Sequence, residues 1–224
     1  HFSPLKIKEC ENNNYPIIRC QLISDAEFSV NTPRNEQHGR VRIIGGQWKK
    51  RIIRFRGSNE LRPTPDSVRE TVFNWLAPHI SGARCLDLFS GSGALGFEAA
   101  SRGATSVTLV ENQFKTWRQL QDTINLLNAS TVVAEHADAL DWLTQCRQQF
   151  NLVFVDPPYC SGLVDKALAR LLRANCLRTD ATVYIEYRID EKPTIPIHWD
   201  LLRQKKAGQV CYSLYRHTEL PIKP

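Results

Sequence analysis

Four consecutive residues combine an acid, two prolines and an aromatic ring directly after the apolar run "VFV": Asp156, Pro157, Pro158 and Tyr159. Because prolines cannot continue a β-ladder, the run must be a strand that ends here. The Asp156 carboxylate and the Pro157 carbonyl can accept hydrogen bonds from an exocyclic amine and stabilise the positive charge that develops on its nitrogen. Rigid prolines preorganise both acceptors, and Tyr159 offers a face for stacking a base. The tetrapeptide therefore predicts catalysis at a nucleobase amine.

A second motif, G-x-G-x-x-G, is formed by Gly91, Gly93 and Gly96 in "CLDLFSGSGALG". This pattern is typical of the turn that binds a nucleotide cofactor after the first strand of a doubly wound sheet. Glu111 ends the next predicted strand, where an acid usually accepts hydrogen bonds from the ribose hydroxyls of an adenosine. NAD and S-adenosylmethionine both contain adenosine, so these residues alone leave both cofactors open.

Two further acids favour S-adenosylmethionine as the cofactor. Asp87 lies four residues before Gly91, where a carboxylate would repel a pyrophosphate but attract the cationic methionine part of S-adenosylmethionine. Asp138 follows the third strand in "HADAL", where it can meet the amine of adenine or, equally, cap the following helix. We therefore expect S-adenosylmethionine and no metal.

The elements that must position these residues alternate regularly from residue 83 onward. Five short, β-branched apolar runs alternate with helical segments, which predicts a doubly wound α/β sheet covered on both faces. Two more strands around Ala207-Gly208 predict an antiparallel hairpin at one edge, giving seven strands. The glycine loop follows the first strand and the tetrapeptide follows the fourth. These strands are neighbours across the point where strand order reverses, so both motifs should face one crevice.

A basic segment precedes the sheet. Residues 40–56, "RVRIIGGQWKKRIIRFR", alternate basic and apolar residues around Gly45-Gly46, which predicts a β-hairpin. The segment from residue 40 to residue 62 contains eight arginines and lysines and one acid, while the whole chain carries a net charge of +6. A localised basic patch is typical of nucleic-acid binding, although a charged stretch is also often a solvated face. Trp48 can stack on RNA or simply pack.

After the hairpin, a helix is predicted with Thr64 as its N-cap, Pro65 as its first residue and Pro78 at its end. The domain organisation that follows has three parts. Residues 1–39 are predicted to form a polar, partly disordered extension. Residues 40–80 form the basic hairpin and helix, and residues 81–224 form the cofactor-binding domain. The seven cysteines are scattered without a C-x-x-C pair, and no apolar run approaches a membrane-spanning length. We expect a cytoplasmic protein.

The combination of motifs resembles a known family. "DLFSGSGALG" followed by "DPPY" is similar to class I S-adenosylmethionine-dependent methyltransferases that act on exocyclic amines. With "RIIGGQWKKRIIRF", "LRPTPDSVRETVFNWL" and "AGQVCYSLY", residues from about 40 to about 217 resemble the RsmD family of bacterial 16S rRNA (guanine-N2)-methyltransferases. The resemblance implies a Rossmann-like methyltransferase fold. It also implies methylation of one guanine of small-subunit RNA near the P site, in assembled or nearly assembled subunits, by a monomer.

The resemblance also implies roles for individual residues. The catalytic motif is Asp156, Pro157, Pro158 and Tyr159. The cofactor is lined by Asp87, Phe89, Ser90, Gly91, Gly93, Glu111, Asp138, Ala139 and Asp156. The residues expected to face RNA, or in part to close the cofactor pocket, are Arg40, Arg42, Trp48, Lys49, Lys50, Arg51, Arg54, Arg62, Thr64 and Arg69.

Three alternative functions remain open from the sequence. A DNA adenine-N6 methyltransferase uses the same tetrapeptide, but it would usually carry a target-recognition insertion, and no segment here is long enough. An RNA-binding assembly factor with an inactive pocket would share the basic hairpin. An NAD-dependent oxidoreductase would share the glycine loop, but an acid or base for hydride transfer is not evident near it.

Overall fold

The computed structural model describes residues 38–56, 64–159 and 162–218. Residues 1–37 of the predicted extension therefore lie outside the described residues, and so does Arg62. Within the three described ranges, the helices are all too short or too polar to cross a membrane.

The predicted basic hairpin is present. Strand β1 (His38–Arg42) pairs antiparallel with β2 (Ile52–Arg56), and Val41 lies opposite Ile53. The connection is longer than a tight turn at Gly45-Gly46, because residues 43–51 form a loop. Apolar side chains on one side of the hairpin are buried in the same core as the helix that follows, while the basic side chains face outward.

Helix α1 (Asp66–Ile80) buries the predicted apolar stripe, which includes Val72, Phe73 and Leu76. Its ends differ from the predictions. Pro65 is the N-cap residue, so Thr64 stands outside the helix and its hydroxyl is available for other contacts. Pro78 lies within the last turn, where the missing N–H costs a single hydrogen bond. The helix continues past it and ends at Ile80, whose side chain is buried.

The main sheet has seven strands, as predicted. They are β3 (Arg84–Asp87), β4 (Ser106–Glu111), β5 (Val132–His136), β6 (Phe150–Val155), β7 (Leu177–Arg188), β8 (Trp199–Ala207) and β9 (Val210–His217). Their order is β5-β4-β3-β6-β7-β9-β8. The first five are parallel, and β9 runs antiparallel between β7 and β8. The sequence prediction of a doubly wound sheet with a C-terminal antiparallel hairpin is confirmed.

Helices cover both faces of this sheet. The four that follow α1 are α2 (Ala94–Ser101), α3 (Phe114–Leu127), α4 (Ala139–Gln145) and α5 (Leu163–Arg173). One core contains residues of the hairpin, α1, α2 and α3, and the other contains residues of α4 and α5. Strands β3 and β6 are direct neighbours in the centre of the sheet, so the glycine loop and the tetrapeptide leave the sheet side by side.

Candidate active site

The glycine loop connects β3 to α2 in a conformation that needs glycine. Gly91 has φ 49° and Gly93 has φ 76°, both in the left-handed region. A Cβ at Gly93 would also lie 2.6 Å from the Phe97 ring and 2.8 Å from a methyl carbon of Leu120. The loop is therefore held tightly against the α2 and α3 side chains, and its backbone faces the crevice without intervening side chains at these two positions.

Asp87 is a buried carboxylate at the end of β3, with a relative exposure of 2%. Its Oδ2 accepts a hydrogen bond of 3.0 Å from the Gly96 amide in the first turn of α2. Burial raises the pKa of Asp87 from 3.8 to about 7; the Gly96 amide lowers it, and the neighbouring Glu111 carboxylate raises it. A cationic ligand close to Asp87 would therefore be favoured, because it would offset the cost of ionising a buried acid.

Glu111 ends β4 and is tied to the same loop. Its Oε2 accepts from the Gly91 amide at 2.9 Å, and its Oε1 accepts from the Gln113 amide at 2.7 Å. Burial raises the pKa of Glu111, while the backbone amides and the charge of His136 oppose that shift. A carboxylate has about four lone-pair sites, so two amide bonds leave capacity for hydroxyl donors.

The tetrapeptide follows β6 directly. Asp156 is mostly buried, Pro157 is buried, and Pro158 and Tyr159 are exposed. Burial raises the pKa of Asp156 well above its usual value, the carboxylates of Glu186 and Asp87 raise it further, and a hydrogen bond from Thr64 lowers it. Asp156 therefore lies beside two other acidic side chains, Glu186 and Asp87, at the carboxyl ends of the central strands.

Glu186 is a functional candidate that sequence reasoning missed. Because Val155 of β6 pairs with Ile185 of β7, the next residues, Asp156 just after β6 and Glu186 within β7, lie side by side. Glu186 Oε1 accepts from the Tyr159 hydroxyl at 2.8 Å, and Oε2 accepts from the Tyr184 hydroxyl at 2.7 Å. An acid inside the apolar run "ATVYIEY" was the signal that could have identified it.

Thr64 joins the two acids. Its Oγ1 lies 3.4 Å from Asp156 Oδ2 and 3.4 Å from Glu186 Oε2. Neither acid forms an ion pair with any arginine, lysine or histidine in the part of the chain that the structure describes. Two buried carboxylates thus share hydroxyl donors and no cation.

A cavity of about 320 Å³ opens beside the tetrapeptide, between the start of α5 and the turn after β7. Tyr159 and Glu186 form part of its wall. Three further acids, Asp165, Asp190 and Glu191, also line it, against a single lysine, Lys192. The exposed ring of Tyr159 is therefore next to an open, acidic space.

The chain matches the family described as Conserved hypothetical protein 95 over residues 41–216. The protein named Ribosomal RNA small subunit methyltransferase D from Escherichia coli (strain K12) is 44% identical over 185 residues, which cover 82% of this chain and 93% of that protein. The protein of the same name from Haemophilus influenzae is 41% identical over 192 residues, which cover 84% of this chain and 98% of that protein.

The chain belongs to this family. Solved structures agree: yhhF of Escherichia coli has a TM-score of 0.74 at 41% identity, covering 81% of this chain and 100% of its own. The methylase HI0767 of Haemophilus influenzae has a TM-score of 0.70 at 40% identity, with coverage of 81% and 100%. The protein is therefore a methyltransferase of this family, and the resemblance found in the sequence is confirmed.

Hydrogen bonds attach the loop of the basic hairpin to helix α2. Glu98, fully buried in α2, accepts hydrogen bonds from the amides of Ile44 at 2.7 Å and Gly45 at 2.8 Å. It also accepts from Arg102 Nε at 2.7 Å. Ser101 donates to the Gly45 carbonyl at 2.6 Å. The hairpin loop is thereby attached to the helix that begins at the glycine loop.

Two residues that we expected to face RNA are buried instead. Arg69 has no exposed side-chain surface; it donates to the Arg42 carbonyl at 2.8 Å and to Asp66 at 2.6 Å. Thr64 is buried beside Asp156 and Glu186. Both side chains are therefore turned away from solvent, and the alternative role, closing the cofactor pocket, stays a prediction. Arg69 holds the hairpin to α1, and Thr64 belongs with the catalytic acid.

The other basic residues of the hairpin are on the surface. Arg40, Arg42, Lys49, Lys50, Arg51 and Arg54 are exposed. Of these, Arg42 pairs with Asp66 at 3.2 Å. Trp48 is partly buried and packs against the core, which favours the packing interpretation over stacking on RNA.

Asp138, for which the sequence left two roles open, is the N-cap of α4. Its Oδ1 accepts from the amides of Leu140 at 2.8 Å and Asp141 at 3.1 Å. Ala139 is buried behind it, Phe89 is partly exposed and Ser90 is buried in the glycine loop. Contact of these residues with a cofactor stays a prediction.

Proposed function

We propose that this methyltransferase uses S-adenosylmethionine to methylate the exocyclic N2 amine of a guanine in 16S rRNA of the small ribosomal subunit. The observation that carries this proposal is the position of Asp156. It directly follows β6 beside the glycine loop, next to a second acid and without an ion pair to any residue that the structure describes. The relatives named Ribosomal RNA small subunit methyltransferase D support the substrate class.

The cofactor would be held by the glycine loop, Asp87 and Glu111. These residues suit S-adenosylmethionine better than NAD, because a sulfonium would favour the ionised forms of Asp87 and Asp156, whose pKa values burial raises, whereas a pyrophosphate would disfavour them. S-adenosylmethionine, when bound, supplies a methyl group activated by a sulfonium. Glu111, fixed by two amides, is placed to accept from ribose hydroxyls.

The chain's own residues would act on the amine. The Asp156 carboxylate and the Pro157 carbonyl accept its N–H bonds, which orients the nitrogen and stabilises the charge that develops on it. Tyr159 stacks on the base, and contacts of this kind contribute about 1–3 kcal/mol. Afterwards the Asp156 carboxylate can accept the proton that the positively charged nitrogen must lose.

The RNA would be bound mainly through phosphates. The exposed arginines and lysines of the hairpin are fixed to α2 through Glu98, so they lie on a rigid element connected to the cofactor loop. The target guanine must be unpaired or extruded, since its N2 amine is otherwise in a base pair. We expect an assembled or nearly assembled small subunit as substrate, and a monomeric enzyme.

The test is methyl transfer from labelled S-adenosylmethionine to small subunits purified from cells that lack this protein, followed by mass spectrometry of the RNA. Wild-type protein should produce one N2-methylguanosine. Asp156→Asn should reduce kcat by on the order of 10²–10³-fold, as removal of a preorganised transition-state contact does. Asp122→Asn, an exposed position on α3, is the matched control. Methylation of duplex DNA instead of subunits, or full activity of Asp156→Asn, would contradict the proposal.

A further inference from the structure

Glu186 is buried to an extent that calls for an explanation, with a relative exposure of 3%. Three hydroxyl groups contact its carboxylate: Tyr159 on Oε1, and Tyr184 and Thr64 on Oε2. These donors are neutral, and no basic side chain of the described residues pairs with it. Burying a carboxylate without a cation costs free energy, and an uncharged residue of similar size would fill the same space more favourably.

The three hydroxyl groups differ in where they lead. Tyr184 is fully buried and belongs to the same strand, so its bond to Glu186 fixes the acid itself. Tyr159 is 43% exposed and belongs to the catalytic tetrapeptide. Thr64 reaches Asp156 from the other side. Two of the three contacts therefore connect Glu186 to residues of the proposed reaction.

We propose that Glu186 is a positioning residue, which holds the Tyr159 ring for base stacking and, through Thr64, the orientation of Asp156. This inference rests on the proposed function, because Tyr159 and Asp156 are placed there at the target amine. Glu186 itself touches neither the base nor the cofactor in this account. It makes the tetrapeptide and the end of β7 one preorganised unit.

The contact with Tyr159 acts on geometry. An exposed tyrosine normally samples several rotamers, and the hydrogen bond of 2.8 Å to Glu186 Oε1 anchors the end of this ring. The anchored ring forms part of the wall of the cavity that a planar ligand would enter. Catalysis depends steeply on such placement, and a misplacement of about 1 Å can cost on the order of a hundred-fold in rate.

The second contribution of Glu186 is to the charge of Asp156, which lies across the Thr64 hydroxyl from it. A threonine hydroxyl has one proton, so it donates to one carboxylate at a time, and Thr64 couples the two acids. The negative charge of Glu186 raises the pKa of Asp156, second only to burial. Removing that charge should lower the pKa of Asp156 and extend its ionised, amine-accepting form to lower pH.

The principal variant is Glu186→Gln, which keeps the size and one acceptor oxygen but removes the charge. We expect kcat on small subunits to fall by on the order of ten- to a hundred-fold, while KM for subunits is unchanged. The acid limb of the kcat profile should move to lower pH. Glu135→Gln, an exposed glutamate on β5, is the matched control and should leave both unchanged. Calorimetric titration with S-adenosylmethionine should show that both variants retain the cofactor site.

A second variant separates positioning from folding. Tyr159→Phe removes the same hydrogen bond from the other partner, and the double variant should lose less than the product of the two single losses. If Glu186→Gln fails to bind S-adenosylmethionine, Tyr159→Phe alone decides, with the same expected fall in kcat and retained cofactor binding.

The outcomes distinguish this inference from the proposed function. Wild-type kcat with an unmoved acid limb in Glu186→Gln, or independent effects in the double variant, would overturn the role of Glu186 and leave the methylation of guanine standing. A wild-type protein that leaves small subunits unmethylated would overturn both.

Discussion

Two groups of buried carboxylates differ in the partners that face them. Glu98 in α2 meets two backbone amides and the guanidinium of Arg102, and Arg69 Nη1 lies 3.9 Å from it. Asp156 and Glu186 meet hydroxyl groups and each other, without an ion pair to any residue that the structure describes. One group is matched in charge and the other is not.

This difference separates a structural role from a catalytic one. Burial of a charge costs free energy, and a nearby opposite charge with good hydrogen bonds offsets that cost. The charge of Glu98 is paired within the protein, although Arg69 Nη1 has no hydrogen-bond partner among the described residues, and Glu98 attaches the basic hairpin to the cofactor helix. The Asp156 group has no such cation among the described residues, and burial raises the pKa of Asp156, so a cationic ligand or a reaction in which positive charge develops would favour its ionised form.

The largest expected effect comes from breaking the matched group. Glu98→Ala would leave the amides of Ile44 and Gly45 without acceptors. It would also remove the carboxylate that lies 3.9 Å from Arg69 Nη1. Loss of one partner of a buried ion pair typically costs about 3–5 kcal/mol, and we expect the free energy of unfolding to fall by that amount. Urea denaturation followed by circular dichroism measures it. Glu70→Ala, an exposed glutamate on α1, is the helix control and should have little effect.

The unmatched group should respond in the opposite way. Asp156→Asn replaces a buried acid with a neutral amide, so at pH 7.5 its free energy of unfolding should not fall below that of the wild-type protein. Comparable losses of stability in Glu98→Ala and Asp156→Asn would contradict the distinction between the two groups.

A smaller effect is expected from pH. The pKa of Asp87 is raised from 3.8 to about 7 by burial, so between these values the folded protein keeps a proton that the unfolded chain releases. Stability should therefore fall as pH rises from about 4 to about 7, by at most about 1.4 kcal/mol per pH unit for this group. Asp87→Asn keeps an acceptor for the Gly96 amide and should flatten this slope, whereas the exposed Asp122→Asn should not. Urea denaturation at four pH values between 4.5 and 7.5 gives both slopes, and equal slopes in wild type and Asp87→Asn would refute the assignment.

The sequence predicted the fold and the two motifs because both depend on local patterns. Alternation of apolar strands with helices specified the sheet, and Asp156 and Gly91 were found because prolines and glycines mark where strands end and loops turn. The rules for doubly wound folds predicted that the first and fourth strands of the α/β region are neighbours, and β3 and β6 are indeed paired, so the two motifs lie beside each other.

The missed residues are those whose roles depend on distant partners. Glu186 contacts Thr64 across 122 positions of the chain, and Glu98 contacts Gly45 across 53. Arg69 belongs to a basic segment by sequence, yet its acidic partners and the fold around it bury its whole side chain. A single sequence shows that a residue is charged. Whether that charge faces solvent, a cation or another acid depends on the tertiary structure.

The smallest and most selective effect concerns the surface of the hairpin. Arg40 and Arg54 are cross-strand partners and both are exposed. Like charges directly opposite each other destabilise a sheet, so a partner of opposite charge, such as phosphate, would relieve their repulsion.

Arg40→Ala with Arg54→Ala should weaken binding to small subunits and reduce the slope of log K against log salt by about one to two, while binding of S-adenosylmethionine is retained. Arg173→Ala with Arg178→Ala is the control of equal charge, because α5 ends and β7 begins at the amino ends of the parallel strands, away from the carboxyl ends where the active site lies. Filter binding at several salt concentrations measures both slopes. An equal change in the two double variants would mean that only net charge matters, and that the hairpin is not a specific RNA-binding surface.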